Sequence, residues 1–212
     1  MSDSPDPDTL LFLRVRTGDR AAFDEIMRRF EGRVLGLVRR TLGASGAAED
    51  VAQEVFLKIF EARKSFEPRA KFSTWLYRVT VNLCLNEIRG RGVEKRRLGP
   101  ALPSTAPRGS GGEDRPAREI ADVRSESPDA AASRSEIESE VRRAIAALPE
   151  AQRVALVLNR YEELSYEDLG HVLEMSVAAV KSLLFRAREN VRKALAPLGG
   201  VAGSGRVREA SP

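Results

Sequence analysis

The sequence predicts an all-α protein: two small helical domains joined by a long flexible linker, the second a four-helix domain with a helix-turn-helix. Three observations lead there. Apolar residues recur at three- and four-residue spacing in both halves, as amphipathic helices require. Between the halves, residues 93–135 are dominated by Gly, Pro, Ser, Ala and Arg, and no helical or strand period survives. Such a stretch buries too little apolar surface to offset its ordering entropy. Finally, Leu164–Arg188 reads as two short capped helices around a tight turn. The expected divisions are 8–92, 93–135, 136–196 and a Gly-rich flexible tail, 197–212.

The chain has 212 residues, enough for two modest cores. Its one Cys and one His argue against zinc fingers and against Cys/His or Ser/His/Asp catalysis. No metal, cofactor or catalytic residue is therefore expected. No apolar run approaches the roughly 18 residues of a membrane span. The opening MSDSPDPDTL is acidic and Pro-containing rather than a basic leader, so a cytoplasmic protein is expected, with Cys84 a core thiol.

The first seven residues read as a disordered lead-in. From Asp8 or Thr9 a short helix carries Leu10, Leu11, Leu13 and Val15 to near Gly18. Asp19 caps a longer helix through about Leu42, with Phe23, Ile26, Met27, Phe30, Val34, Leu37 and Val38 on one stripe and Gly43 as the stop. A third, from about Ala48 to Lys64, buries Val51, Val55, Phe56, Ile59 and Phe60 and exposes Glu49, Asp50, Gln53, Glu54, Lys58 and Glu61. On residues alone that polar face is an ordinary solvated one.

Pro68 interrupts the pattern and leaves a basic loop, Phe66–Lys71. The next helix, Phe72 to about Arg91, has a core stripe of Phe72, Leu76, Val79 and Leu83, with Trp75, Arg78, Asn82 and Arg89 on a neighbouring face. Residues 69–97 hold eight Lys or Arg against two Glu, a net +6 that exceeds the +4 of the whole chain. An aromatic ring among cations suits unpaired bases, which stack at roughly 1–3 kcal/mol each while the cations hold phosphates. The residues alone favour the plainer alternative, with Trp75 in the core and the arginines solvated.

In the second half Ile137, Val141, Ala144, Ile145 and Leu148 form another stripe. Pro149 takes the first position of the following helix, which turns Val154, Val157, Leu158 and Tyr161 inward. Ser165 caps the next helix in a capping box with Asp168, and Ser176 caps the last, ahead of Val177, Val180, Leu184, Ala187 and Val191. Gly170 stands where these two helices cross closely, with Val172, Leu173 and Met175 beneath. The opposite face presents Ala178, Lys181, Ser182, Arg186 and Arg188, then Arg192 and Lys193: small, polar and basic, as a helix entering a major groove must be. Residues 176–196 carry +4 and residues 136–168 carry −4, so charge is segregated along the chain. Spacing and charge alone leave a groove-reading face and a solvated face equally open.

Five stretches together resemble the bacterial extracytoplasmic-function sigma factors, the smallest class of the sigma-70 family of RNA polymerase specificity subunits. They are GDRAAFDEIMRRFEGRVLGLVRRTLG, AEDVAQEVFLKIFEA, FEPRAKFSTWLYRVTVNLCLNEIR, ALPEAQRVALVLNRYEELSYEDLG and SVAAVKSLLFRAR, in family order across residues 9–195. The resemblance implies a function: binding core polymerase, recognising promoter minus-35 and minus-10 elements and promoting strand opening. It further implies that Asp50, Gln53, Glu54 and Lys58 contact the clamp of the largest polymerase subunit, with the flap of the second-largest also a partner. Lys71, Ser73, Trp75, Arg78 and Asn82 would capture a flipped base of the minus-10 element, and Ser176, Ala178, Lys181, Ser182 and Arg186 would read minus-35 duplex. An anti-sigma factor is an expected further partner, and the linker would thread the active-site cleft.

Two positions depart from the family pattern. Glu174 stands in the turn where relatives commonly have Gly, and Leu183 follows Ser182 where they often have Arg. Two rival readings remain: a stand-alone helix-turn-helix regulator, which leaves Phe66–Asn82 and the acidic helix idle, and a magnesium-dependent nucleic-acid-processing enzyme, whose carboxylates would have to converge in one site.

Overall fold

The protein, seen in a computed structural model, is described over residues 6–43, 46–68, 70–97 and 128–199. Among these residues are eight α-helices, one 3-10 turn and no strand. The chain divides into two compact units between Ser125 and Glu126. No helix among the described residues is long and apolar enough to cross a membrane.

The first unit holds α1 (Pro7–Arg16), α2 (Arg20–Leu42), α3 (Ala48–Glu61) and α4 (Phe72–Arg97). α1 begins slightly earlier than expected because Asp6 caps it, accepting the amides of Asp8 and Thr9 at 3.2 and 3.1 Å, while Pro7 takes the first helical position. Asp19 caps α2 through the Ala22 amide at 3.0 Å, and Gly43 ends it at φ 71°. The α2 stripe packs as expected: Ile26, Phe30, Val34, Leu37 and Val38 are buried, with Phe23 and Met27 at the edge.

α3 stops at Glu61 rather than Lys64, since Ala62–Ser65 tightens into a 3-10 turn. Phe60, expected in the core, is 37% exposed. It follows Ile59 by 100° around the helix and leaves the buried stripe, resting on Phe23 at 4.9 Å with the Arg63 guanidinium 3.9 Å from its centroid. α4 packs against α1, α2 and α3, so more than one stripe of it is buried. Tyr77, Thr80, Val81 and Cys84 are inside, whereas Val79 and Leu83 are only half-buried. Burial pushes the Cys84 thiol up to about 12, which makes it an inert core group.

The second unit holds α5 (Pro128–Ala146), α6 (Glu150–Tyr161), α7 (Tyr166–Leu173) and α8 (Val177–Gly199), with α8 packed on the other three. Helix enters both ends of the stretch expected as linker, α4 reaching Arg97 and α5 starting at Pro128. Residues 98–127, 1–5 and 200–212 lie outside the described residues. The early start of α5 follows from its Pro-Asp-Ala-Ala-Ala opening, where high helix propensity substitutes for an apolar stripe. Pro149 is the N-cap of α6, with ψ 142°, and not its first helical residue. Ile137, Tyr161 and Met175, expected inside, are exposed, while Ala144, Leu148, Val154, Val157 and Leu158 are buried.

α7 and α8 meet at Gly170. A Cβ there would lie 2.8 Å from the Met175 backbone carbonyl oxygen, and neither backbone can yield cheaply. The turn passes through Glu174 in the left-handed region, at φ 55° and ψ 44°; Glu163, before α7, also has φ 53°. Gly170→Ala is expected to destabilise the second unit by about 1–3 kcal/mol, and Glu174→Gly to stabilise it by roughly 0.5–1 kcal/mol by removing left-handed strain. Thermal melting of the two variants checks both signs.

Candidate nucleic-acid interface

The α7–turn–α8 geometry begins with two serine caps. Ser165 Oγ accepts the Asp168 amide at 3.0 Å and donates to the Asp168 carboxylate at 2.7 Å; Ser176 Oγ accepts the Ala179 amide at 3.2 Å. Val180, Leu184 and Ala187 then bury one side of α8. What remains outward includes every residue expected to read duplex: Ser176, Ala178, Lys181, Ser182 and Arg186 are all exposed. The Ser176 hydroxyl uses one lone pair on the cap, which leaves its O–H proton and second lone pair for DNA. Lys181 Nζ lies 5.9 Å from the Tyr166 ring centroid of α7.

Arg188 turns away from the outward face, its Nη2 donating to Asn159 Oδ1 of α6 at 2.9 Å. Asn159 also donates to the Leu164 carbonyl at 3.3 Å, so one amide ties α6, the loop before α7 and α8 together. Phe185 was not among the expected contacts, yet it is 67% exposed and stands four residues after Lys181 and three after Ser182 on the same face. An exposed apolar ring at that place can meet a thymine methyl.

In the first unit, Lys71, just before α4, and Trp75, Arg78 and Asn82 on it fall at spacings of four, three and four, the three helical residues within a narrow arc of α4. Lys71, Arg78 and Asn82 are exposed. Ser73 is half-buried and projects from the opposite side of the helix, so it is not brought together with the other four. Trp75 is half-buried in a cluster of rings, with centroids 5.0 Å from Phe66, 5.5 Å from Phe12 and 5.9 Å from Phe72. Lys71 stands four residues before it and Arg78 three after it along the chain. Arg89 is occupied on its own helix by the Leu85 carbonyl and Asn86.

On α3 Asp50, Gln53, Glu54 and Lys58 are all exposed, with Lys58 3.3 Å from Glu61. Glu49 pairs with Arg39 of α2 at 2.6 Å, and that hydrogen bond holds its carboxyl below the usual range. Beside these polar groups runs an open groove of about 650 Å³ between α2 and α3, lined by Phe23, Met27, Leu35, Phe56, Leu57 and Phe60. Leu57, not singled out by periodicity, is 64% exposed. The face thus combines a charged rim with an apolar floor, the anatomy of a protein–protein contact.

The chain is similar in sequence and fold to known proteins. A family model described as Sigma-70 region 2 matches residues 26–93, and one described as Sigma-70, region 4 matches residues 138–191. The chain is 40% identical over 192 residues to the RNA polymerase sigma-H factor of Pseudomonas aeruginosa, covering 90% of this chain and 95% of that one. It is 34% identical, with the same coverage, to the ECF RNA polymerase sigma-E factor of Escherichia coli strain K12. Two solved structures share the fold. One, of CnrH in complex with the cytosolic domain of CnrY, has a TM-score of 0.63 and 23% identity, covering 91% of this chain and 99% of that one. The other, of the sigma factor RpoE with the anti-sigma factor NepR from Bartonella quintana, has a TM-score of 0.58 and 20% identity, covering 82% and 96%.

The exposed ammonium of Lys181 carries a prediction. Lys181→Ala is expected to lower the magnitude of the salt slope of duplex-DNA binding by roughly one unit, as loss of one phosphate contact should. Titrations across a range of salt concentrations measure it, and an unchanged slope removes Lys181 from the phosphate contacts.

Proposed function

The chain belongs to the extracytoplasmic-function class of the sigma-70 family of RNA polymerase sigma factors, and from that premise we propose how its two units divide promoter recognition between them. As a sigma factor it joins core RNA polymerase, directs it to a promoter and helps open the strands. The observation that carries the residue assignments is the pairing of two unlike faces: the small, basic outward side of α8, and the cation-flanked Trp75 on α4.

α8 is the minus-35 reader. Lys181 and Arg186 hold phosphate or base edges, and Ser176, Ala178, Ser182 and Phe185 are short or apolar enough to let the helix approach the groove. α4 with its preceding loop captures a non-template base of the minus-10 element. Trp75 supplies a stacking surface, while Lys71, Arg78 and Asn82 hold backbone and base edges; Ser73 contributes only from the far side of the helix. The α2–α3 face docks on core polymerase. There Asp50, Gln53, Glu54 and Lys58 set register against the clamp of the largest subunit, and the apolar groove supplies buried area.

Magnitudes decide how far capture alone can go. Stacking on one aromatic ring is worth about 1–3 kcal/mol, whereas breaking DNA stacking costs on average about 1.4 kcal/mol per step. One captured base therefore offsets one or two steps, enough to start opening by trapping the unpaired form. The rest of the bubble must be held by the polymerase cleft. No chemistry is asked of the chain itself, so we read it as having no catalytic role and as acting in the cytoplasm, where polymerase and chromosome are. An anti-sigma factor is part of the same reading: the RpoE whose fold it shares was solved bound to one. A stand-alone regulator would leave both the α2–α3 face and Trp75 without a task.

Run-off transcription with core polymerase tests the whole reading, promoter-specific starts being expected and their absence fatal to it. Trp75→Ala is expected to impair promoter opening about 5- to 100-fold, the equivalent of one lost stacking contact, while core affinity holds. Equal loss of both would make Trp75 a structural residue only.

A further inference from the structure

α1 lies outside the stretch matched to region 2, which begins at residue 26, yet it holds both ends of the loop read above as the base-capture element. At the entry to the loop the Phe66 ring stands edge-on to Phe12 of α1, centroids 5.0 Å apart, and the Phe66 carbonyl accepts from Arg16 Nη1 at 3.4 Å. At its exit Phe72 stacks on the same Phe12 ring at 4.5 Å. The Phe72 backbone N–H, the first of α4, donates to Thr9 Oγ1 at 2.9 Å in a buried bond between residues 63 apart.

The Thr9 hydroxyl in turn donates to the Asp6 carboxylate, which also accepts the Asp8 and Thr9 amides. A hydroxyl has one proton and two lone pairs, and an ionised carboxylate can only accept. Asp6 therefore accepts the hydroxyl's one hydrogen bond, which leaves a lone pair of Oγ1 to accept from the Phe72 amide. Thr9 is 1% exposed, so water cannot replace that acceptor, and a buried orphan N–H is costly.

We infer that Thr9 is a positioning residue for strand capture: through the Phe72 amide it fixes the first turn of α4, and with it Lys71 and the ring of Trp75, in the geometry that an unpaired base must meet. The inference rests on the base-capture reading of α4. Its physical basis is preorganisation. A loop pinned at both feet before DNA arrives has already met its ordering cost, whereas a loop freed at one foot must meet it during capture and binds less tightly for the same contacts.

The test uses the full chain assembled with core polymerase on a promoter defined by mapping transcript starts, with 2-aminopurine in the non-template strand of the minus-10 region reporting opening. Thr9→Val keeps the shape of the side chain and removes the acceptor; Thr9→Ser restores it. The expected result is opening weakened about 5- to 10-fold in Thr9→Val, with core affinity and binding to minus-35 duplex unchanged, and recovery in Thr9→Ser. A Thr9 that served only to stabilise the fold would lower the melting temperature and leave opening unchanged once the folded fraction is equalised, and that result overturns the inference. Should Thr9→Val not fold, Arg16→Ala removes the hydrogen bond to the Phe66 carbonyl at the other foot from an exposed side chain, with slower opening expected at equal core affinity and unaltered opening overturning the proposal. If the unaltered holoenzyme itself gives no fluorescence change, the base-capture reading fails, and for a reason separable from Thr9.

Discussion

One phenylalanine ring organises the first unit. Phe12 is fully buried, meets Phe66 edge-on, stacks with Phe72 and leans on Trp75, and thereby joins α1, the loop after α3 and the start of α4 at a single point. Aromatic rings bury more surface than any aliphatic side chain, and offset or edge-to-face pairs add about 0.5–1.5 kcal/mol beyond burial. Four rings in mutual contact fix the two feet of the loop, Phe66 and the start of α4, as parts of the core.

Local chemistry is what the sequence makes legible. The caps at Asp19, Ser165 and Ser176, the stop at Gly43, the close crossing at Gly170, the stripe of α2 and the Val154, Val157 and Leu158 part of the α6 stripe depend on residues a few positions apart, and all stand where spacing puts them. What periodicity does not report is how many neighbours a helix has. α4 meets three helices, so Tyr77, Thr80, Val81 and Cys84 are buried beyond the single stripe that spacing suggests. Phe60 and Tyr161 err in the opposite direction, each at or near the end of its helix, where the core has run out, as does Met175 in the turn between α7 and α8.

The candidate site shows the same division. Lys71, Trp75, Arg78 and Asn82 share a face because their spacing says so, whereas Ser73, taken from family likeness, falls on the other side. Phe185 is not singled out by the sequence because it adjoins Leu184 of the buried stripe; its place four residues after Lys181 and three after Ser182 is the signal that marks it. Arg188 counts as basic face by sequence, but Asn159, almost thirty residues earlier, draws it back, and no pattern along the chain announces such a pairing. The bond from Phe72 to Thr9 is equally silent, since neither residue type betrays it.

α7 has eight residues, barely two turns, and only Leu169, Gly170 and Val172 of it are buried. Isolated helices of that length do not persist in water, and both its flanks hold a glutamate in left-handed backbone. Its amide protons will therefore exchange with solvent sooner than those of α6 or the middle of α8, in the manner of a weakly held cooperative segment. The segment that seats α8 is thus ready to melt locally, which would give the helix proposed above as the minus-35 reader a hinge-like tolerance for small differences in duplex curvature.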